Sequence, residues 1–185
     1  MPFTPRLSTS SPTEMLNNPW WYSNGNTYYS YGAGLPNCTC YCFGRAAEID
    51  GAFNYGLPQY NNGGEWFDWV VNNQTLPTGQ TPALGAIACW YDPNGIYLGH
   101  VATVEEIDPG TGMVTFSNSG YPSNYFWISH VDSSTGYREP WMISRGYQLK
   151  GFIYLPPYVP MNRALWLSMF TEDDDLLEKV RKELC

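Results

Sequence analysis

A cysteine stands at the start of the first predicted helix, and the chain's histidines follow it much later. Residues 38–50 predict a helix that Asn37 caps, so Cys38 lies in its first turn. At that place the helix dipole and unpaired backbone amides favour the thiolate form of the thiol. A thiol nucleophile also needs a base, and His100 and His130 are the two histidines of the sequence. These residue types predict cysteine-dependent acyl transfer.

His100 is the preferred base because of its surroundings in the sequence. It follows Gly99 on a predicted strand, and we expect this glycine to leave space for a substrate beside the imidazole. His130 follows residues 126–129, and that context fits a structural histidine equally well. The choice between the two histidines therefore favours His100.

Asn118 is the candidate group that orients the His100 ring. If residues 108–112 form a five-residue loop, Ile107 pairs with Met113 and Asn118 becomes a diagonal neighbour of His100 on one face. A two-residue turn would instead place Asn118 on the opposite face of the sheet. The prediction therefore depends on the length of this loop.

The elements that must position these side chains change in type along the chain. Helices are predicted at 38–50 and 65–72, and strands at 84–91, 96–107, 113–118 and 151–155, with a hairpin turn at 92–95. Helices followed by an antiparallel meander predict an α+β fold. The predicted organisation is a flexible N-terminal arm (1–19), a catalytic domain (20–158) and an acidic C-terminal linker with a helix (159–185).

Composition limits the functions open to the chain. The 185 residues, 43% of them hydrophobic, suit one domain with one site. The net charge of -8 argues against nucleic acid as a partner. The sequence has neither a long apolar run nor the apolar core of a signal peptide, so we expect synthesis in a host cytoplasm without membrane insertion. Five cysteines, an odd number, predict free thiols rather than a disulfide framework.

Four sequence blocks resemble, in the correct order, the CHAP family of cysteine, histidine-dependent amidohydrolases/peptidases. The blocks are NCTCYCFGRA at 37–46, GGEWFDW at 63–69, PALGAIACW at 82–90 and GHVATVE at 99–105. The resemblance covers residues 21–157 or so. It implies a papain-like α+β fold with N-terminal helices packed on an antiparallel sheet, with Cys38 as nucleophile and His100 as base. It also implies peptidoglycan amide bonds as the usual substrate.

The chain departs from the family pattern at the orienting group. Many members carry Glu and, two residues later, Asn where this chain has Asn118 and Gly120. The orienting group is therefore neutral here, and the thiolate–imidazolium pair loses one stabilising charge. Cys40 also replaces a common Trp. Some members hold calcium near the cysteine, but residues 23–37 contain no acidic side chain, so we predict no structural calcium and no cofactor.

Three further residues are predicted to contact the substrate or its oxyanion. In the implied mechanism the oxyanion lies near the Cys38 backbone amide, with help from the Asn37 side chain. Tyr41 and Trp90 are candidate substrate contacts. Cys40, Cys42 and Cys89 are predicted to be structural.

The sequence also leaves open three functions other than cysteine-dependent hydrolysis of the cell wall. A zinc site from Cys38, Cys40, Cys42 and His100 is disfavoured because the cysteines lack a two-residue gap. A catalytically inactive cell-wall-binding module would stack its Trp and Tyr side chains on glycan rings. A third alternative is an intracellular thiol amidase that acts on a small peptide conjugate.

The predicted setting is a phage lysin that degrades bacterial cell wall. It would be either a tail-mounted enzyme of the virion or an endolysin released at lysis. Peptidoglycan is the predicted partner, and other phage tail proteins are candidate partners.

Overall fold

A computed structural model describes residues 3–8 and 12–156 of the chain. The helices are α1 (Pro12–Leu16), α2 (Thr27–Ser30), α3 (Cys38–Asp50), α4 (Trp66–Asn73) and α5 (Pro140–Ser144). The strands are β1 (Thr78–Gly79), β2 (Ile87–Tyr91), β3 (His100–Ile107), β4 (Val114–Gly120), β5 (Asn124–Val131) and β6 (Gln148–Ile153). Short 3₁₀ turns span Gly63–Glu65 and Ser133–Thr135. The linker and helix predicted for 159–185 lie outside the described residues.

The strands form one sheet of six, in the order β1-β6-β2-β3-β4-β5, and every neighbouring pair is antiparallel. The α+β prediction is therefore confirmed. Within the described ranges no helix is long and apolar enough to cross a membrane.

Both faces of the sheet are buried, which fits the nearly continuous burial of β2 and β3. One face packs on α3 and α4 through a cluster that includes Val101 and Ile153. The other face is covered by the chain around α5, with Ala102, Phe116 and Met142 in its cluster. The central strands are thus held rigidly from both sides.

Helix α3 begins and ends at the predicted residues, and its start is capped by Asn37. The Asn37 Oδ1 accepts hydrogen bonds from the Thr39 amide at 2.9 Å and the Cys40 amide at 3.4 Å. This cap satisfies two of the amides that the first turn of a helix leaves unpaired. It fixes Cys38 as the first residue of the helix.

The register of β3 and β4 is correct near the site, but the predicted loop is wrong. Ile107 pairs with Val114 rather than with Met113, because the loop spans six residues and closes with an Asp108 to Met113 hydrogen bond. A β-bulge at Glu105 adds one residue to β3 and shifts the pairing, so Thr103 faces Ser117 as expected. Without the bulge, the side chains beyond it would lie on the wrong face.

The predicted hairpin turn at 92–95 is also wrong, because the connection from β2 to β3 extends over residues 92–99. The Asp92 carboxylate accepts hydrogen bonds from the backbone amides of Asn94, Ile96 and Tyr97. These bonds hold residues 94–97 in a loop instead of a strand. The loop brings Tyr97 to the wall of the cavity described below.

Residues 3–8 of the predicted N-terminal arm lie against α3 and β3. The backbone amide of Arg6 donates to Glu105 Oε2 at 2.8 Å, and Arg45 donates to the Thr4 carbonyl oxygen at 2.7 Å. The Arg6 guanidinium also pairs with Glu48 and lies over the Trp21 ring. A buried charge network therefore ties this segment to the domain.

Candidate active site

A cavity of about 710 Å³ opens where the first turn of α3 meets the start of β3. Cys38 and His100 both line it, so the structure brings the predicted nucleophile and base to one site. The lining also includes residues from the β2–β3 loop, β4, β5 and the α5 region. These are Tyr97, Leu98, Gly99, Gly120, Tyr121, Asn124, Trp127, Glu139, Trp141, Arg145 and Tyr147, with Asn37, Thr39, Asn62 and Gly63 beside Cys38.

The surroundings of the Cys38 thiol raise its pKa, although Cys38 is only partly buried where it lines the cavity. Burial raises the pKa of this thiol and is the largest influence on it. The backbone amides of Val101, Thr39 and Cys38 itself act in the opposite direction, but they do not outweigh burial. The sequence predicted a lowered pKa from the helix start. The structure reverses that prediction because the thiol packs against β3.

The ring of His100 is oriented by a hydrogen bond between its Nε2 and Asn118 Oδ1, 3.1 Å apart. The Asn118 amide nitrogen is already committed, since it donates to the Phe116 carbonyl oxygen and to Ser129 Oγ. Asn118 therefore accepts, which assigns the proton to Nε2 and leaves the lone pair on Nδ1. Nδ1 has no hydrogen-bond partner among residues 3–8 and 12–156, so it is available to take a proton.

Tryptophan rings enclose the imidazole. Trp127 stacks on it at 5.8 Å between centroids, Trp141 meets it edge-on at 5.3 Å, and Trp90 lies 6.1 Å away. His100 is 4% exposed. This burial lowers the pKa of His100 to about 4, although the Asn118 hydrogen bond acts to raise it. At pH 7 the free site therefore holds a neutral imidazole and a protonated thiol that line the same cavity.

We expect the acid limb of kcat/KM to lie near pH 4 rather than near pH 6.5. Only the neutral imidazole can accept a proton, and the lowered pKa keeps it neutral down to about pH 4. Activity is thus present above this pKa and is lost as the pH falls through it. Hydrolysis of a soluble peptide between pH 3.5 and 8, with circular dichroism at each pH as the control for unfolding, measures this limb. An acid limb between pH 6 and 7 would contradict the lowered pKa of His100.

The remaining predicted residues divide between the cavity and the core. Asn37 lines the cavity, and its cap uses only the amide oxygen, so its amide nitrogen is left to donate. Tyr41 is fully buried and stacks on Trp21, and Trp90 is 1% exposed beneath His100. Neither lines the cavity, which corrects the expectation that they contact the substrate. His130 is exposed on β5 and bonds Thr115, away from the cavity.

Gly99 lines the cavity next to His100, and its lack of a side chain is also needed for a close backbone contact. Its φ is +82°, and a Cβ there would lie 2.2 Å from the Gly64 backbone nitrogen. This contact packs the start of β3 against the turn that precedes α4. The contact fixes the backbone at the start of β3, where the His100 ring is hydrogen-bonded to Asn118.

We expect Gly99→Ala to lower the free energy of unfolding by at least about 2 kcal/mol, because the clash adds to the strain of a positive φ. Gly112→Ala is the matched control, since Gly112 also has a positive φ of 71° but has open space around it. The control should cost about 1 kcal/mol, the strain of placing a Cβ at a positive φ. Urea unfolding measures both, and equal losses would contradict the importance of the Gly64 contact.

The other described cysteines do not share the site. Cys40, Cys42 and Cys89 are buried free thiols in the core on the helix side of the sheet. Within residues 3–8 and 12–156, no three His, Cys, Asp or Glu side chains cluster closely enough to hold a metal ion. The zinc alternative required Cys38, Cys40 and Cys42 in one cluster.

Sequence comparison with protein-family models finds a family that matches the part of the chain that forms this cavity. The model of the CHAP domain matches residues 23–120, more than half of the chain. The chain belongs to the CHAP family. The matched region contains Cys38, His100 and Asn118 and ends at Gly120. The matched family is that of the cysteine, histidine-dependent amidohydrolases/peptidases.

Comparison with solved structures matches the chain to a crystal structure of an N-acetylmuramoyl-L-alanine amidase from Staphylococcus aureus. The two share 16% sequence identity with a TM-score of 0.46, over 65% of this chain and 32% of the amidase. The chain thus spans about a third of that protein's length. No curated protein sequence matches this chain.

Sequence reasoning missed the cavity residues that follow β4. Trp127 lies on β5, Glu139 and Trp141 lie at α5, and Arg145 follows it. The run NYFWISHV at 124–131 is rich in strand-forming residues between turn-forming segments, so a strand signal was present. The five-residue helix α5 has a weaker signal, the proline at its first position.

Proposed function

We propose that the chain cleaves an amide bond of bacterial peptidoglycan with Cys38 as nucleophile, His100 as base and Asn118 as the residue that orients His100. One observation carries the proposal. The hydrogen bond from His100 Nε2 to Asn118 leaves the Nδ1 lone pair free in the cavity that Cys38 also lines. The family's chemistry and its usual substrate agree with this arrangement.

In the proposed mechanism the proton moves only when the substrate is attacked. His100 Nδ1 takes the Cys38 proton as the sulfur attacks the amide carbonyl carbon. The oxyanion lies near the Cys38 backbone amide and the Asn37 amide nitrogen. The imidazolium gives its proton to the leaving amine, and a thioester to Cys38 forms. A water molecule, deprotonated by His100, then hydrolyses the thioester to a carboxylate and restores the thiol.

The walls of the cavity support a peptide or glycopeptide as substrate. They combine flat aromatic side chains, such as Trp127 and Tyr121, with polar groups from Asn62 and Asn124. Tyr121 is 85% exposed and could stack on a sugar ring at the rim. A cavity with this lining could hold a glycan end and a peptide stem together.

The test is digestion of purified sacculi from several wall types, followed by mass spectrometry of the soluble fragments. A new free amine with a matching carboxylate names the bond, either the muramoyl–alanine amide or a bond of the stem peptide or cross-bridge. Sedimentation with the sacculi but no new ends would favour the wall-binding module. Cleavage of small soluble peptides alone would favour the thiol amidase.

The phage setting stays a prediction from the sequence. Detection of the chain in purified virions would identify a tail-associated lysin, whereas its appearance only at host lysis would identify an endolysin.

A further inference from the structure

A cation without an acidic partner stands in the wall of the cavity. Arg145 follows α5, and its guanidinium lies 5.0 Å from the ring centroid of Tyr97 and 5.5 Å from that of Trp141. It is the one Lys or Arg among the cavity-lining residues, and in the described part of the chain no carboxylate forms an ion pair with it. Arg145 itself is exposed.

The faces of the Tyr97 and Trp141 rings hold the guanidinium, and one of its N–H groups hydrogen-bonds the Tyr147 side chain. Cation–π contact engages the faces of Tyr97 and Trp141, while the N–H groups of the guanidinium point from its edge. The acidic side chain in the same wall, Glu139, accepts a hydrogen bond from Trp127 Nε1 at 2.9 Å. Arg145 is therefore held in place, and because no salt bridge of the described residues includes it, the remaining N–H groups of its guanidinium can bind a carboxylate.

The Arg145 guanidinium and the His100 ring both contact the Trp141 ring. The Arg145 Cζ lies 5.5 Å from the centroid of the Trp141 ring. The centroid of the same ring lies 5.3 Å from that of the His100 ring. An extended peptide advances about 3.3 Å per residue. A carboxylate bound by Arg145 would therefore lie within about three residues of the bond that Cys38 attacks.

We propose that Arg145 is a specificity residue that binds a free carboxylate of the wall peptide, within about three residues of the scissile amide. This inference rests on the proposed function and adds the charge of the preferred substrate. Peptides in which that carboxylate is a neutral carboxamide leave the guanidinium without its partner. They should therefore be cleaved more slowly.

The test uses pairs of soluble stem peptides that differ only in whether one carboxyl group is free or amidated. One pair varies the glutamyl α-carboxyl group and the other varies the C-terminal carboxyl group. For at least one pair, wild-type kcat/KM should favour the free carboxylate about tenfold or more, because a charged hydrogen bond is lost. In Arg145→Gln the ratio should fall to near one, and Arg145→Lys should recover only part of it.

The matched control is Lys150→Gln. It also removes one positive charge, but Lys150 pairs with Asp68 and does not line the cavity. The control should keep the wild-type ratio. A ratio near one for both pairs in the wild type, or a ratio unchanged in Arg145→Gln, would overturn the inference.

Measurements of peptide binding test the role of Arg145 independently of the proposed catalytic function. Calorimetry with Cys38→Ala measures the affinity for each peptide of a pair without turnover. If the wild type cleaves no wall peptide, the proposed function fails, and the ratio of affinities still decides the role of Arg145. If cleavage occurs without discrimination, the role of Arg145 alone fails.

Discussion

Replacing His100 with alanine lowers kcat/KM for wall-peptide hydrolysis by at least about a thousandfold, on the scale of losses seen when a catalytic base is removed. The reason is specific to this site. Burial raises the pKa of the Cys38 thiol, so little thiolate forms unless a base takes the proton during attack. A cysteine with a preformed thiolate would lose less.

His130→Ala is the control for this variant, because His130 lies on the sheet away from the cavity. It should keep nearly full activity. His100→Gln serves as a second variant, since it retains a polar side chain among the tryptophans and limits the loss of packing. Its activity should be as low as that of His100→Ala, with circular dichroism unchanged. More than a tenth of wild-type activity in both His100 variants would contradict the role of His100 as base.

Replacing Arg45 with methionine lowers the free energy of unfolding by about 3 to 5 kcal/mol, because it leaves a buried carboxylate without its cation. Arg45 is 4% exposed and Glu105 is fully buried. The guanidinium donates to both Glu105 oxygens, at 2.9 and 2.8 Å. Glu105 also accepts from Ser117 Oγ at 2.6 Å and from the Arg6 amide.

This variant should also reduce activity. Glu105 is the bulge residue of β3, and the bulge sets the register that brings Asn118 to His100. If the unpaired carboxylate draws water into this region, the bulge and the register are disturbed. We expect a loss of kcat/KM at temperatures where the variant is still folded.

Two controls define the origin of the Arg45 effect. Glu48→Gln removes a carboxylate of the same network that is 21% exposed, and it should cost no more than about 1 kcal/mol. Arg45→Met combined with Glu105→Leu removes both buried charges and should recover most of the lost stability. Urea unfolding measures all three proteins. A loss in Arg45→Met no larger than that in Glu48→Gln would contradict a buried, coupled pair.

Features with local signals could be predicted from the sequence. Helix α3 is bounded as expected because Asn37 is a strong cap and the helical pattern runs without a break to Asp50. The register around Asn118 came out correctly through two compensating errors. The loop is one residue longer than expected, and the bulge at Glu105 cancels that difference. A bulge held by a buried ion pair is a tertiary feature that local spacing does not reveal.

The site could be predicted in part for the same reason. Cys38, His100 and Asn118 lie in motifs that local sequence identifies. Trp141 and Arg145 reach the cavity only because the chain after β5 folds back over the sheet. The direction of the Cys38 pKa shift was wrong because burial depends on how tightly the helix start packs on β3. Tyr41 was placed wrongly because its ring faces Trp21 in the core.

We expect wall hydrolysis to depend on the Cys38 thiol. Parallel digestion of sacculi by wild type, Cys38→Ala and Cys89→Ala tests it most directly, with new ends counted by mass spectrometry. Cys89→Ala is the matched control because it removes a buried thiol that does not line the cavity. We predict new amide-derived ends from the wild type and from Cys89→Ala, and none above background from Cys38→Ala. Release of the same ends by Cys38→Ala would contradict the account.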